Sequence, residues 1–98
     1  MGVSLSIIVP AYNEEDRLGG SVREILAYVK SNGLNAELII VDDGSTDSTT
    51  QVAKEACENF RELRSNVIRY DENRGKGFAV RTGLALSEAP IALFSDAD

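Results

Sequence analysis

At 98 residues, 43% hydrophobic and 27% charged, the chain suffices for one small domain or part of a larger one, with a modest core. A net charge of −6 with no block of basic residues argues against a nucleic-acid surface. The absence of histidine removes imidazole bases, histidine metal ligands and Ser-His-Asp chemistry, while the single cysteine, Cys57, leaves no disulfide framework and points to a reducing compartment.

No basic region followed by an apolar run and cleavage site opens the chain, and no apolar stretch is long enough to span a bilayer. The expectation is a soluble, cytoplasmic chain. Val3-Ser4-Leu5-Ser6-Ile7-Ile8-Val9 alternates and then becomes continuously apolar, predicting a first strand stopped by Pro10. In the polar connection that follows, Asn13 is placed to cap a helix whose first turn is acidic. Leu18, Val22, Ile25, Leu26 and Val29 recur at helical spacing, and Gly33 closes that helix. Gly19-Gly20 inside it predicts either close packing or a late start.

Leu38-Ile39-Ile40-Val41 reads as a strand buried on both faces, breaking at once into Asp42-Asp43-Gly44-Ser45-Thr46-Asp47. Ser48 and Gln51 have capping-box spacing, and Val52, Ala53, Ala56, Cys57, Phe60 and Leu63 form the buried face of a second helix. Asn66 to Tyr70 is a shorter, more polar strand, expected near an edge. Asp71 to Gly77 is a second polar turn, Phe78 to Ser87 a third helix with Val80 and Leu84 one turn apart, and Phe78 is expected in the core. Pro90 stops that helix, and Ile91-Ala92-Leu93-Phe94 predicts a fourth buried strand leading into Ser95-Asp96-Ala97-Asp98. The order βαβαβαβ implies an α/β fold with a parallel sheet and right-handed crossovers.

Such sheets bind ligands at the carboxyl ends of their strands, where the polar turns gather. Asp96-Ala97-Asp98 offers two carboxylates separated by one small residue, able to turn toward one hard cation, Mg²⁺ or Mn²⁺; alone, the motif is equally a solvated turn. Asp42 and Asp43 alternate in direction, so they do not share one ligand: one can accept from a nucleobase or ribose, or both can tie down loop amides. Asn73-Arg74-Gly75-Lys76-Gly77 opens a helix with glycines that admit an anion, and Arg81 lies one turn beyond Gly77. It is neither a Walker loop nor a dinucleotide fingerprint, since Val80 stands where the last glycine of G-x-G-x-x-G belongs. Tyr12 can stack on a base or pack at the rim, and Cys57 reads as a small buried hydrophobe.

Ile8-Val9-Pro10-Ala11-Tyr12-Asn13-Glu14-Glu15, Val41 to Asp47, Asn73 to Gly77 with Ala79-Val80-Arg81-Thr82-Gly83, and Ser95 to Asp98 together resemble the ordered motifs of inverting family-2 nucleotide-sugar glycosyltransferases. The Arg-Gly-Lys-Gly stretch and the Asp-Ala-Asp ending most resemble the dolichyl- and polyprenyl-phosphate glucose or mannose synthases. The resemblance covers essentially the whole chain. It implies the N-terminal half of a GT-A fold, a Rossmann-like parallel sheet with helices on both faces, with residues 1–98 the nucleotide-sugar-binding portion, truncated at the Asp-x-Asp motif. It implies a nucleoside pocket lined by Pro10, Ala11, Tyr12 and Glu14, and contacts to base and ribose from Asp42 and Asp43, with Asp43 the preferred ligand-facing member. It further implies that Lys76 and Arg81 lie near the diphosphate and that Asp96 and Asp98 bind the divalent cation, Mg²⁺ or Mn²⁺, that bridges the donor phosphates.

The implied reaction moves a hexose from a UDP-glucose or GDP-mannose type donor to an acceptor such as a lipid phosphate, with inversion. Its base lies beyond Asp98, so this chain alone is expected to be inactive, and the full-length protein to work at the cytoplasmic face of a membrane. A half-domain with an uncovered sheet edge is also expected to self-associate. Two other classes are weighed: a receiver- or phosphatase-like module, against which Pro10-Ala11-Tyr12-Asn13 at the end of the first strand argues, and a non-catalytic nucleotide-binding module.

Overall fold

The computed structural model describes residues 2–95. Four parallel strands, β1 (Leu5–Ala11), β2 (Ala36–Asp43), β3 (Arg64–Tyr70) and β4 (Ile91–Phe94), form one sheet in the order β3-β2-β1-β4. Helices α1 (Leu18–Ser31), α2 (Thr49–Glu58) and α3 (Lys76–Leu86) make the crossovers. The two most buried strands, β1 and β2, occupy the centre. Every residue of β2 is buried, as a strand covered on both faces requires.

Pleat alternation divides the core. Ile7, Val9 and Ala11 of β1 and Leu38 and Ile40 of β2 pack with Leu18, Val22, Leu26 and Val29 of α1 and Ala53 and Ala56 of α2. Cys57, Phe60 and Leu63 pack partly buried against this cluster. On the opposite face a thinner cluster joins Ile8, Ile39 and Val41 to Ala79 of α3, with Ile68 and Tyr70 at its side. Close approach of both layers depends on small residues. A Cβ on Gly19 of α1 would stand 3.1 Å from Val52 Cγ1 on α2, so this glycine serves packing and the helix starts just before it.

Several local expectations change. Pro10 does not stop β1 but pairs within it, opposite Val41. Ile8 turns its carbonyl toward β4, accepting from the Ser95 amide at 2.9 Å. By alternation the missing N–H of Pro10 also faces that side, beyond the last pair with β4 among the described residues. Asn13 does not cap α1; its backbone is left-handed (φ 51°) and its side chain serves another loop. Ser48 and Gln51 form no capping box: Ser48 makes no side-chain cap, and Gln51 bonds Glu55 instead. Asp47 takes the capping role, accepting the Thr49 amide at 2.9 Å.

Helix α3 begins two residues earlier than expected, and its buried stripe is Ala79 and Gly83, with Leu84 exposed. Phe78 sits outside both core clusters, edge-on to Tyr70 with centroids 5.3 Å apart. Strand β4 is exposed along its length rather than buried, because it is an edge strand paired only with β1 among the described residues.

Candidate functional site

At the carboxyl edge of the sheet, three loops are stitched into one rim. The β1–α1 loop meets the β2–α2 loop residue by residue. The Asn13 amide donates to Ser45 Oγ at 2.8 Å, the Glu14 amide to Thr49 Oγ1 at 2.9 Å and the Glu15 amide to Asp47 Oδ2 at 3.3 Å. In return the Thr46 amide donates to Asn13 Oδ1 at 2.9 Å, which explains why a residue tolerant of the left-handed region stands at Asn13. Asp47 titrates below the ordinary carboxylate range: its partial burial works the other way, but the Thr49 hydroxyl and the amides of Thr49 and Glu15 outweigh it.

The consecutive acids of β2 leave the strand on opposite faces. Asp42 points into the α2 face, fully buried, where Oδ1 accepts the Ser45 amide at 3.0 Å and Oδ2 accepts the Thr50 hydroxyl. Arg69, its register neighbour on β3, stands 4.0 Å from Oδ2 and donates to the Ser45 carbonyl at 3.0 Å. Asp43 points into the α3 face. Its Oδ1 accepts the Tyr70 hydroxyl at 2.5 Å and the Arg74 amide at 2.8 Å, while Oδ2 accepts Asn73 Nδ2 and the Gly75 amide, each at 2.9 Å. Both carboxylates therefore tie down loops. Burial, followed by the hydrogen bond and charge of Asp43, raises the Tyr70 phenol well above its ordinary value, so Tyr70 stays a donor.

Gly44 makes this junction possible. Its φ is +72°, and a Cβ there would lie 2.6 Å from the Asn73 nitrogen and from the Glu72 carbonyl carbon. The amide-rich start of α3 does not present all its donors outward: the Arg74 and Gly75 amides are spent on Asp43. The side chains around it stay accessible. Lys76 Nζ stands 6.0 Å from the Phe94 ring centroid, which sets the cation beside the end of β4, one residue before Ser95. Arg81 folds back along α3, its Nη1 3.5 Å from where a Cβ on Gly77 would be.

The residues singled out in the sequence thus fall into groups. Pro10 and Ala11 are buried at the end of β1, Tyr12 is 44% exposed on the rim, and Glu14 is half-buried with an Arg17 ion pair at 3.4 Å. Lys76 is the first residue of α3, and Arg81 stands midway along it. Asp96 and Asp98 lie outside the described residues. Among the described residues, no group of three or more acids or cysteines converges on a metal position, and no helix is long and apolar enough to cross a membrane. Sequence reasoning missed Asn13, Ser45, Thr50, Tyr70 and Asn73 as rim-building residues. The signal for Tyr70 is register, since it pairs with Asp43 as Arg69 pairs with Asp42, and register needs the strand order first.

Known proteins resemble this chain in sequence and in fold. The family model described as glycosyl transferase family 2 matches residues 6–98. The chain belongs to this family. It is 38% identical over 102 residues to the dolichyl-phosphate β-glucosyltransferase of Saccharomyces cerevisiae, covering 98% of this chain and 30% of that protein. The human dolichyl-phosphate β-glucosyltransferase is 40% identical over 99 residues, with 96% of this chain and 31% of the relative covered. The chain therefore spans about a third of the length of these relatives.

Among solved structures, a mannosyltransferase from Pyrobaculum calidifontis in complex with GDP-Man and Mn²⁺ superposes with a TM-score of 0.86 at 28% identity, over 100% of this chain and 28% of that one. A glucosyl-3-phosphoglycerate synthase from Mycobacterium tuberculosis, in complex with Mn²⁺, UDP-glucose and phosphoglyceric acid, gives 0.73 at 29% identity, over 99% and 34%. The fold is the Rossmann-like parallel sheet of the GT-A glycosyltransferases.

Proposed function

We propose that residues 1–98 form the donor-binding portion of an inverting glycosyltransferase that transfers a hexose from a UDP-glucose or GDP-mannose type donor to a polyprenyl or dolichyl phosphate. One observation carries this reading. The loops after β1 and β2 and the turn opening α3 are bonded into a single rim, with Lys76 reaching the end of β4, from which the Asp-x-Asp acids follow. The relatives' names supply the donor and acceptor classes: they are dolichyl-phosphate glucosyltransferases, and the solved neighbours hold GDP-Man or UDP-glucose.

In this reading Pro10, Ala11, Tyr12 and Glu14 border the nucleoside, Tyr12 offering a ring face to the base. Lys76 and Arg81 face the diphosphate, whose leaving oxygen gathers charge as the bond to the anomeric carbon breaks and the bond to the acceptor oxygen forms. The donor set of Asp96 and Asp98 is oxygen only, which fits Mg²⁺ or Mn²⁺, and such an ion would neutralise charge on the departing diphosphate. No catalytic base is assigned among these residues, and the chain by itself is inactive; sugar transfer by the purified 98-residue chain would overturn that.

The direct check is equilibrium dialysis of labelled UDP-glucose and GDP-mannose against this chain with Mg²⁺. Saturable binding of one donor, weakened about tenfold or more by Lys76→Ala, is the expected result. Unchanged affinity in that variant would remove Lys76 from the diphosphate.

A further inference from the structure

Among the described residues, Asn13 is the only one besides glycine with a positive φ, 51°, and it stands between Tyr12 and Glu14. Glycine takes such a backbone without steric cost, so an asparagine there is explained by its side chain. Its Oδ1 accepts the Thr46 amide at 2.9 Å and lies 3.4 Å from the Thr46 hydroxyl, while its own amide donates to Ser45 Oγ at 2.8 Å. Two consecutive residues of the β2–α2 loop thus grip one residue of the β1–α1 loop.

The grip is anchored in the core. The Ser45 amide donates to Asp42 Oδ1 at 3.0 Å, Asp42 is fully buried, and Arg69 donates to the Ser45 carbonyl at 3.0 Å. On the other side of Tyr12, Ala11 is the last residue of β1, buried and paired with Asp42. The backbone of Tyr12 is therefore held from both directions, while its side chain is exposed. A ring carried on a fixed backbone loses little further freedom when a planar ligand stacks on it, so the clamp prepares Tyr12 for that contact. These bonds tie Asn13 to the β2–α2 loop, whereas Lys76 opens a separate element, α3.

We propose that Asn13 is a positioning residue for the nucleoside end of the donor: clamped to Ser45 and Thr46, it holds Tyr12 in the orientation on which a base stacks. This rests on the nucleotide-sugar reading above, and the two separate experimentally. UDP, GDP and inorganic pyrophosphate, each with Mg²⁺, are titrated into the wild-type chain and into Asn13→Gly, Asn13→Asp, Tyr12→Ala and the Tyr12→Ala/Asn13→Gly double variant. Motion of the Tyr12 ring is followed by NMR relaxation in the ligand-free chains. Asn13→Gly keeps the left-handed backbone and loses the clamp; it weakens UDP and GDP alike, roughly fivefold, and leaves pyrophosphate unchanged. Asn13→Asp, which keeps both the acceptor and the tolerance of that backbone, restores the ratio of nucleotide to pyrophosphate affinity. Once Tyr12 is alanine, Asn13→Gly has no further effect, because the ring it positions is gone. In the free chain Asn13→Gly loosens the Tyr12 ring and Asn13→Asp does not.

Unchanged nucleotide affinity in a folded Asn13→Gly chain, an equal loss for pyrophosphate, or a loss that persists in full without Tyr12 overturns the proposal. Where pyrophosphate binds too weakly to measure, the cycle with Tyr12→Ala decides. If Asn13→Gly does not fold, Ser45→Ala, which removes the hydroxyl accepting the Asn13 amide, decides by the same criteria. A wild-type chain that binds neither nucleotide overturns the donor reading, and relaxation in the free chains still decides whether Asn13 holds the ring. Equal Tyr12 motion in wild type and Asn13→Gly then overturns that as well.

Discussion

Gly44 is held in place by two separate demands, a left-handed backbone and the main chain of Glu72 and Asn73 packed against it. Gly44→Ala should therefore lower stability by about 3 kcal/mol, read from urea unfolding, because neither demand can be relieved by a side-chain rotation. A loss below about 1 kcal/mol would show that the β2–α2 and β3–α3 loops separate easily. A second residue-scale test lies at the opposite edge of the sheet. Burial drives the Glu37 carboxyl up, but the Glu88 amide at 2.8 Å, the Ser6 hydroxyl at 2.6 Å and the Arg64 guanidinium outweigh it and hold it below the ordinary range. A depressed folded pKa contributes stability that is complete above the ordinary value of 4.5 and is lost as pH falls through the lower folded value. The stability difference between wild type and Glu37→Gln should thus be flat from about pH 8 to pH 6 and shrink below about pH 4 in chemical unfolding. A difference that grows on acidification would contradict these contacts.

Among the elements, α3 is the one whose packing depends most on missing atoms. A Cβ on Gly83 would stand 2.5 Å from Ile8 Cγ2 in the middle of β1, so Gly83→Ala must push helix and sheet apart. The expected cost is about 1–3 kcal/mol by thermal or urea unfolding, with Gly20→Ala, whose Cβ meets nothing within 4 Å, as the control. Equal stability of the two variants would contradict the close contact. The order and kind of elements were legible, because continuous apolar runs and helical spacing are local signals. Edge position was only half legible: the polar pattern of β3 announced an edge, whereas the apolar run of β4 concealed one. Burial of a strand depends on its neighbours, and no pattern within Ile91–Phe94 encodes them. The direction of Asp42 and Asp43 was legible from strand alternation, but their partners were not, since Thr50 is placed by α2, Tyr70 by register and Asn73 by the turn before α3.

At the scale of the molecule, the exposed side of β4 is a sheet edge flanked by apolar side chains. Ile91 is 62% exposed and Phe94 57%, and Leu93 borders a hollow of about 340 Å³ with Leu5, Ile25, Tyr28 and Leu34. An unprotected apolar edge favours strand pairing with another copy, so this chain should show concentration-dependent sedimentation that Leu93→Lys reduces. A profile independent of concentration would count against it. The opposite balance holds at the carboxyl edge, where polar loops are bonded to one another and Tyr12, Lys76 and Arg81 stay accessible. That edge was legible as a candidate site because its acids, glycines and basic residues follow strands. The motif order carried the family, while the rim's internal bonding was invisible without coordinates.

The central claim, that this edge with Asp96 and Asp98 binds a nucleotide-sugar donor through a divalent cation, is tested most directly by calorimetry. UDP-glucose and GDP-mannose are titrated into the chain with Mn²⁺ and again with chelator, for wild type and Asp98→Ala. The account predicts that one donor binds, that chelator abolishes the heat, and that Asp98→Ala does the same. Binding of equal strength with chelator present, or undiminished in Asp98→Ala, would contradict it.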